Sequence, residues 1–216
     1  MGRSSRVLAG CAAAFLLAAG SAYADTPIPS TPAELIADFD AICMAGAADP
    51  AVAAAKARER GFTDPDGPLA KLLSSIFSSG KTTSALSIKT DAGKALFKAG
   101  PGPTLMRGKY PTATCSLAVT QFKDGDIRSA YQASFGSEAQ IKELNHDIYS
   151  FAVTGQARRA VDLHADDEII SAIKAGSYRS VLVGTTEPSA SLGKYEIMVL
   201  MVPNEAHKAP SAQGAP

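Results

Sequence analysis

The chain has no excess of charge of either sign: 21 lysines and arginines stand against 21 aspartates and glutamates in 216 residues. Without a basic field there is nothing to track a phosphate backbone or to hold a polybasic contact with a lipid surface, so nucleic-acid binding is not expected. Cysteine is scarce, three residues without a C-x-x-C spacing, which removes the usual redox motif. Beyond the N-terminus no apolar run reaches the roughly 20 residues of a spanning helix, so no transmembrane segment is expected. Histidine occurs three times, and His146 and His207 stand outside any ligand spacing. No cofactor motif is present.

What is there begins with residues 1–24. Arg3 and Arg6 form a basic start, an apolar run extends through Cys11 to Ala19, and Ala22-Tyr23-Ala24 fits an A-x-A cleavage site. Leu8-Ala9-Gly10-Cys11 is similar to a lipobox, but a lipidated cysteine follows the apolar run, whereas Cys11 lies inside it. The expected product is therefore unlipidated, begins at Asp25, and is soluble in the periplasm or secreted. Removing residues 1–24 leaves 21 acidic side chains against 19 basic ones, a net charge of about −2. It also removes Cys11 and leaves Cys43 and Cys115. An even pair in an oxidising compartment predicts one disulfide. Closing a loop of 72 positions stabilises by roughly 4 kcal/mol in the chain-entropy model.

Residues 25–203 read as a single α+β domain. A first helix starts at "TPAELIADFDAIC", where Thr31, Pro32 and Glu34 supply a cap, a preset φ and a capping box. A second, alanine-faced helix runs from its cap Asp49 to Gly61, with Phe62 placed for the hydrophobic contact of a C-terminal cap. "LAKLLSSIFSS" reads as a third helix, and a hairpin turns at Asp91-Ala92-Gly93. A loop over 100–111 precedes a strand bearing Cys115. Further on, helices are expected near 126–135, 138–145 and 167–175. Strands are expected at about 148–154, 159–164, 178–186 and 194–203. The last strand is apolar on both faces, which places it inside a sheet. Helices bunched early and paired strands later predict N-terminal helices on a mainly antiparallel sheet. Residues 204–216, small, polar and Pro-containing, predict a disordered tail. Phe39-x-x-x-Cys43, the alanine-rich helix ending Gly61-Phe62, and the Cys115 strand together resemble small exported bacterial proteins of uncharacterised function. That resemblance implies nothing catalytic and assigns no site residue.

Three motifs fall away. "SSGKT" at 78–82 has Ser75 where a phosphate loop needs glycine. Ser-x-x-Lys recurs at Ser78/Lys81, Ser171/Lys174 and Ser191/Lys194 without the companion motifs of a serine–lysine enzyme. "DPDG" at 64–67 is a calcium-loop fragment without its distal glutamate and reads as a turn. Two stretches remain. Asp162, His164 and Asp167, with Asp166 and Glu168, are the densest set of metal-ligand types. Acids at a helix start, however, already serve free amides and the dipole. Lys98, Arg107, Lys109 and Tyr110, in and beside the long loop, offer charge and a stacking ring for an anionic ligand or partner. The expectation is a non-enzymatic exported envelope protein that binds an envelope protein or a small ligand, with oligomeric state undetermined. The alternative is a small hydrolase or metal-dependent enzyme built on Asp162 and His164.

Overall fold

The computed structural model describes residues 28–65, 67, 84–91, 93–186 and 193–204. The proposed signal peptide, the third helix at 69–79, Ser78, Lys81, Ser191 and the tail from 205 onward, with His207, lie outside the described residues.

The first helix, α1 (Pro32–Phe39), carries the full capping box. Thr31 Oγ1 accepts from the Glu34 amide at 3.2 Å, and Glu34 Oε2 accepts from the Ser30 and Thr31 amides at 2.7 and 3.2 Å. The helix then widens into a π-turn over Asp40–Met44, closed by the Ala45 amide donating to the Asp40 carbonyl at 3.0 Å. Asp49 caps α2 (Pro50–Glu59), accepting from the Ala51 and Val52 amides at 2.9 and 3.1 Å. Gly61, at φ 86°, reverses the chain, the Phe62 amide donates to the Ala57 carbonyl, and Phe62 packs edge-on against Phe97 at 6.2 Å.

Among the described residues eight strands follow: β1 (Ser84–Thr90), β2 (Gly93–Pro101), β3 (Thr112–Val119), β4 (Ile141–Lys142), β5 (His146–Thr154), β6 (Ala157–Ala160), β7 (Tyr178–Thr185) and β8 (Glu196–Pro203). Two more helices interrupt them, α3 (Asp126–Phe135) and α4 (Asp166–Lys174). All pairings are antiparallel, in the order β1-β2-β3-β8-β7-β5-β4, with β6 beside β5. The α+β class is as expected, and β8 sits between β3 and β7, where its two apolar faces required it to be.

The main core lies between the helices α1, α2 and α3 with the π-turn and one face of the sheet. Leu35, Phe39, Ile42, Ala53, Ala57 and Ile127 meet Phe97, Leu117, Tyr149, Val181 and Leu200 there. The alanine face of α2 allows the close approach that its sequence suggested. Cys43 of the π-turn and Cys115 of β3 are fully buried at disulfide-bonding distance, with Sγ atoms 2.00 Å and Cα atoms 5.4 Å apart. A smaller cluster on the other face gathers Val161, Ile169, Ala172, Ile173 and Tyr178 under α4.

Two expectations are corrected. Residues 138–145 are not a helix. The Gln140 side chain stands at capping-box spacing from Ser137, but it bridges the backbone of Ser150, accepting from its amide at 2.9 Å and donating to its carbonyl at 2.8 Å. That bridge locks Ile141–Lys142 onto β5 as β4. The strand expected over 159–164 ends at Ala160, because Val161 turns into the smaller cluster and Asp162 Oδ1 accepts from the His164 amide at 2.9 Å, a local turn that ends the pairing. Asn204, placed in the expected tail, still donates to the Pro111 carbonyl at 2.8 Å.

Candidate functional site: the second face of the sheet

Register fixes which side chains share a face, because alternate residues along a strand point to opposite sides. Ala99, Cys115, Leu200, Val181 and Tyr149 form one cross-strand row on the helix-covered face. Their neighbours Lys98, Ser116, Val199, Leu182 and Ile148 therefore form a row on the second face. The next row holds Leu96, Ala118, Ile197, Gly184 and His146. Gly184 is required: a Cβ there would lie 2.3 Å from the Asn145 carbonyl oxygen, where the chain enters β5.

One end of this face is covered. The loop after β2 folds back as a small hairpin in which Leu105 and Tyr110 exchange backbone hydrogen bonds at 2.8 and 3.3 Å. With α4 it packs Leu105, Met106 and Tyr110 over Tyr178 and Ala152. The remainder carries Leu96, Ile148, Leu182, Ile197, Val199 and Met201, all half-buried. Among the described residues they belong to neither hydrophobic cluster. They form one apolar strip across β2, β8, β7 and β5.

Charge on the strands of this face is one-sided, with the exposed Asp91 in the turn between β1 and β2. The second-face positions of β1, β2, β3, β5, β7 and β8 include Lys89, Lys94 and Lys98 and no carboxylate. Lys89 and Lys94 are directly opposite each other across the β1–β2 pair and exposed, and neither has an ion-pair partner among the described residues. Lys98 is half-buried, and burial pulls its ammonium below the usual lysine range. At the far edge His146 Nε2 lies 3.3 Å from Glu143.

The four residues singled out for binding are thus divided. Lys98 belongs to the strip, Tyr110 is packed into the smaller cluster, and Arg107 and Lys109 stand exposed in the hairpin tip. Met106 and Arg107 adopt φ of 51° and 55° to make that tip.

The metal-ligand types do not converge. Asp162 is committed to its turn with His164, Asp166 and Asp167 open α4, and Glu168 pairs with Arg159. The Arg159 hydrogen bond, with one from the Asp162 amide, holds the Glu168 carboxyl below its ordinary range. Among the described residues no group of three or more His, Cys, Asp or Glu is arranged to hold a metal ion. Ser171 and Lys174 are both exposed on α4, and Lys194 pairs with Asp124. Ser150 and Ser180 are buried on the second face beside Met201. Ser150 donates to Ser180 Oγ at 3.3 Å and accepts from the Tyr178 hydroxyl at 3.1 Å.

The strip residues escaped sequence reasoning. Their one visible signal was the apolar second face of the last strand, which marks Ile197, Val199 and Met201 once β8 is known to be central.

Helices on one face of an antiparallel sheet, with an apolar strip on the other, define an α+β module. The chain matches no family model, no curated protein and no solved structure. No described helix is long and apolar enough to cross a membrane.

Proposed function

We propose that the chain is a non-enzymatic exported protein of the cell envelope, and that the half-buried apolar strip on the second sheet face is where it binds a partner or small ligand. The strip is the observation that carries this reading. Six apolar side chains share one surface and belong to neither core cluster among the described residues. If each gives up about 40 Å² on binding, the gross gain is about 6 kcal/mol. A gross gain of that size corresponds to no better than tens of micromolar, and the cost of association weakens it further. The buried cysteine pair agrees with an oxidising compartment. The alternative of a hydrolase or metal-dependent enzyme gains no support from Asp162, His164 and Asp167, which serve a turn and a helix start.

The neutral dye N-phenyl-1-naphthylamine tests the surface. Saturable fluorescence enhancement is expected with the native mature protein. It should be lost in the pair Leu182→Lys and Val199→Lys while far-ultraviolet dichroism is unchanged. No enhancement, or enhancement the substitutions leave intact, contradicts the reading. Intact mass of the exported protein tests the location: a chain beginning at Asp25 is expected, and a lipidated Cys11 would exclude it.

A further inference from the structure

We propose that the ligand of the second sheet face is a monomeric anionic amphiphile: one acyl chain lying on Leu96, Val199 and Leu182, with its carboxylate at the lysine end formed by Lys89, Lys94 and Lys98. This rests on the reading of the strip as a binding surface and adds the chemistry of what binds.

Charge complementarity carries it. Like charges set directly opposite on a sheet face are unfavourable, yet Lys89 and Lys94 occupy one such pair. Two residues further along β2 from Lys94 comes Leu96, and two further Lys98, all on the same face. On β1 and β2 the face therefore carries an exposed basic pair and, beyond Leu96, the half-buried Lys98, and from there the strip runs across the sheet. No carboxylate occupies a second-face position on the six strands that build it. The acids of α4 stand at the start of the helix whose Ile169, Ala172 and Ile173 close the covered end, and Glu168 there is engaged by Arg159. Glu143, at the β5 edge, is engaged by His146. A basic pair beside an apolar strip favours an anion that brings its own apolar tail, because that ligand meets the charge and covers the apolar surface together. From Leu96 on β2 to Leu182 on β7 the strip crosses three inter-strand spacings, about 14 Å, the length of a medium-length acyl chain. Among the described residues the acid nearest the basic pair in sequence is Asp91, exposed in the turn between β1 and β2.

The test uses the mature, disulfide-containing protein and calorimetric titration below micelle-forming concentrations. Dodecanoate is expected to bind at one site, at least about tenfold tighter than octanoate, since four methylenes are removed from contact. Dodecyltrimethylammonium, with the same chain and opposite charge, is expected not to bind. The pair Lys89→Gln and Lys94→Gln, both exposed and outside the core, should weaken dodecanoate by about fivefold, the scale of two screened surface charges, and leave the neutral dye unaffected. Equal binding of the cation, or dodecanoate affinity unchanged in the lysine pair, overturns the anionic assignment. Binding to phosphatidylglycerol vesicles without binding of monomeric dodecanoate overturns it in favour of a membrane surface. If dodecanoate fails while the dye still binds through Leu182 and Val199, this inference alone falls; if both fail, the strip is not a binding surface.

Discussion

Tyr149 has no exposed surface and lies in an aromatic cluster, its ring 4.9 Å from Tyr131 and 5.1 Å from Phe135, centroid to centroid. Burial first, and then the nearby Asp147 charge, push its phenol up to about 12. The native state therefore holds this proton more tightly than the unfolded chain, whose tyrosines ionise near 10. The linked stability is fully present below pH 10 and is lost as pH rises from about 10 toward 12. Denaturant unfolding across that range should show a falling midpoint, with a shallower fall in Tyr149→Phe. An identical slope in the variant would contradict this account of the phenol. At this scale the sequence was partly legible. Lys98 was identifiable as a candidate from its place beside the loop, but its neighbours on the sheet were not. Arg107, Lys109 and Tyr110 are close to it in sequence, whereas Ser116 and Leu96 share its face because of pairing and pleat.

The helix α3 illustrates how an element is held in place. Arg128 donates through Nε and a terminal nitrogen to the two carboxylate oxygens of Asp147, at 3.1 and 2.7 Å, and also to the carbonyls of Leu144 and Glu143. At the helix start the Gly125 amide donates to buried Glu196 at 3.3 Å. Asp147 is buried, so Arg128→Ala leaves a carboxylate in the core without its counter-charge, a loss of about 3 kcal/mol or more. Thermal or denaturant unfolding should show that loss. The double variant Arg128→Met with Asp147→Leu should recover much of it, since apolar replacement of both partners removes the unpaired charge. Equal destabilisation in the single and double variants would contradict a clamp through this pair. None of it was legible locally: Arg128 and Asp147 are 19 positions apart. The starts of α1 and α2 were legible because caps act within four residues. The expected helix at 138–145 failed for the converse reason. Ser137 and Gln140 have the spacing of a local cap, and the Gln140 amide goes instead to Ser150, 10 positions away.

Across the whole molecule, the sheet separates two tasks. Its first face, with α1, α2, α3 and the Cys43–Cys115 link, supplies stability; its second face supplies the proposed binding strip. Removing the link with Cys43→Ala and Cys115→Ala should cost about 2–5 kcal/mol, seen as a lower melting temperature, while dye binding by the remaining folded protein is unchanged. A loss of binding in parallel would mean the two faces are not separable. Fold class was legible because hydrophobic periodicity and turn residues are local signals. The strip was not, because it exists only once four strands, β2, β8, β7 and β5, are laid in register with β3 between the first two. The central claim is that this face binds, and amide chemical-shift mapping during titration with dodecanoate tests it most directly. The account predicts shifts concentrated at Lys94, Leu96, Lys98, Leu182 and Val199, with the amides of α1 and α2 unmoved. Shifts centred on the helices, or none at saturating dodecanoate, would contradict it.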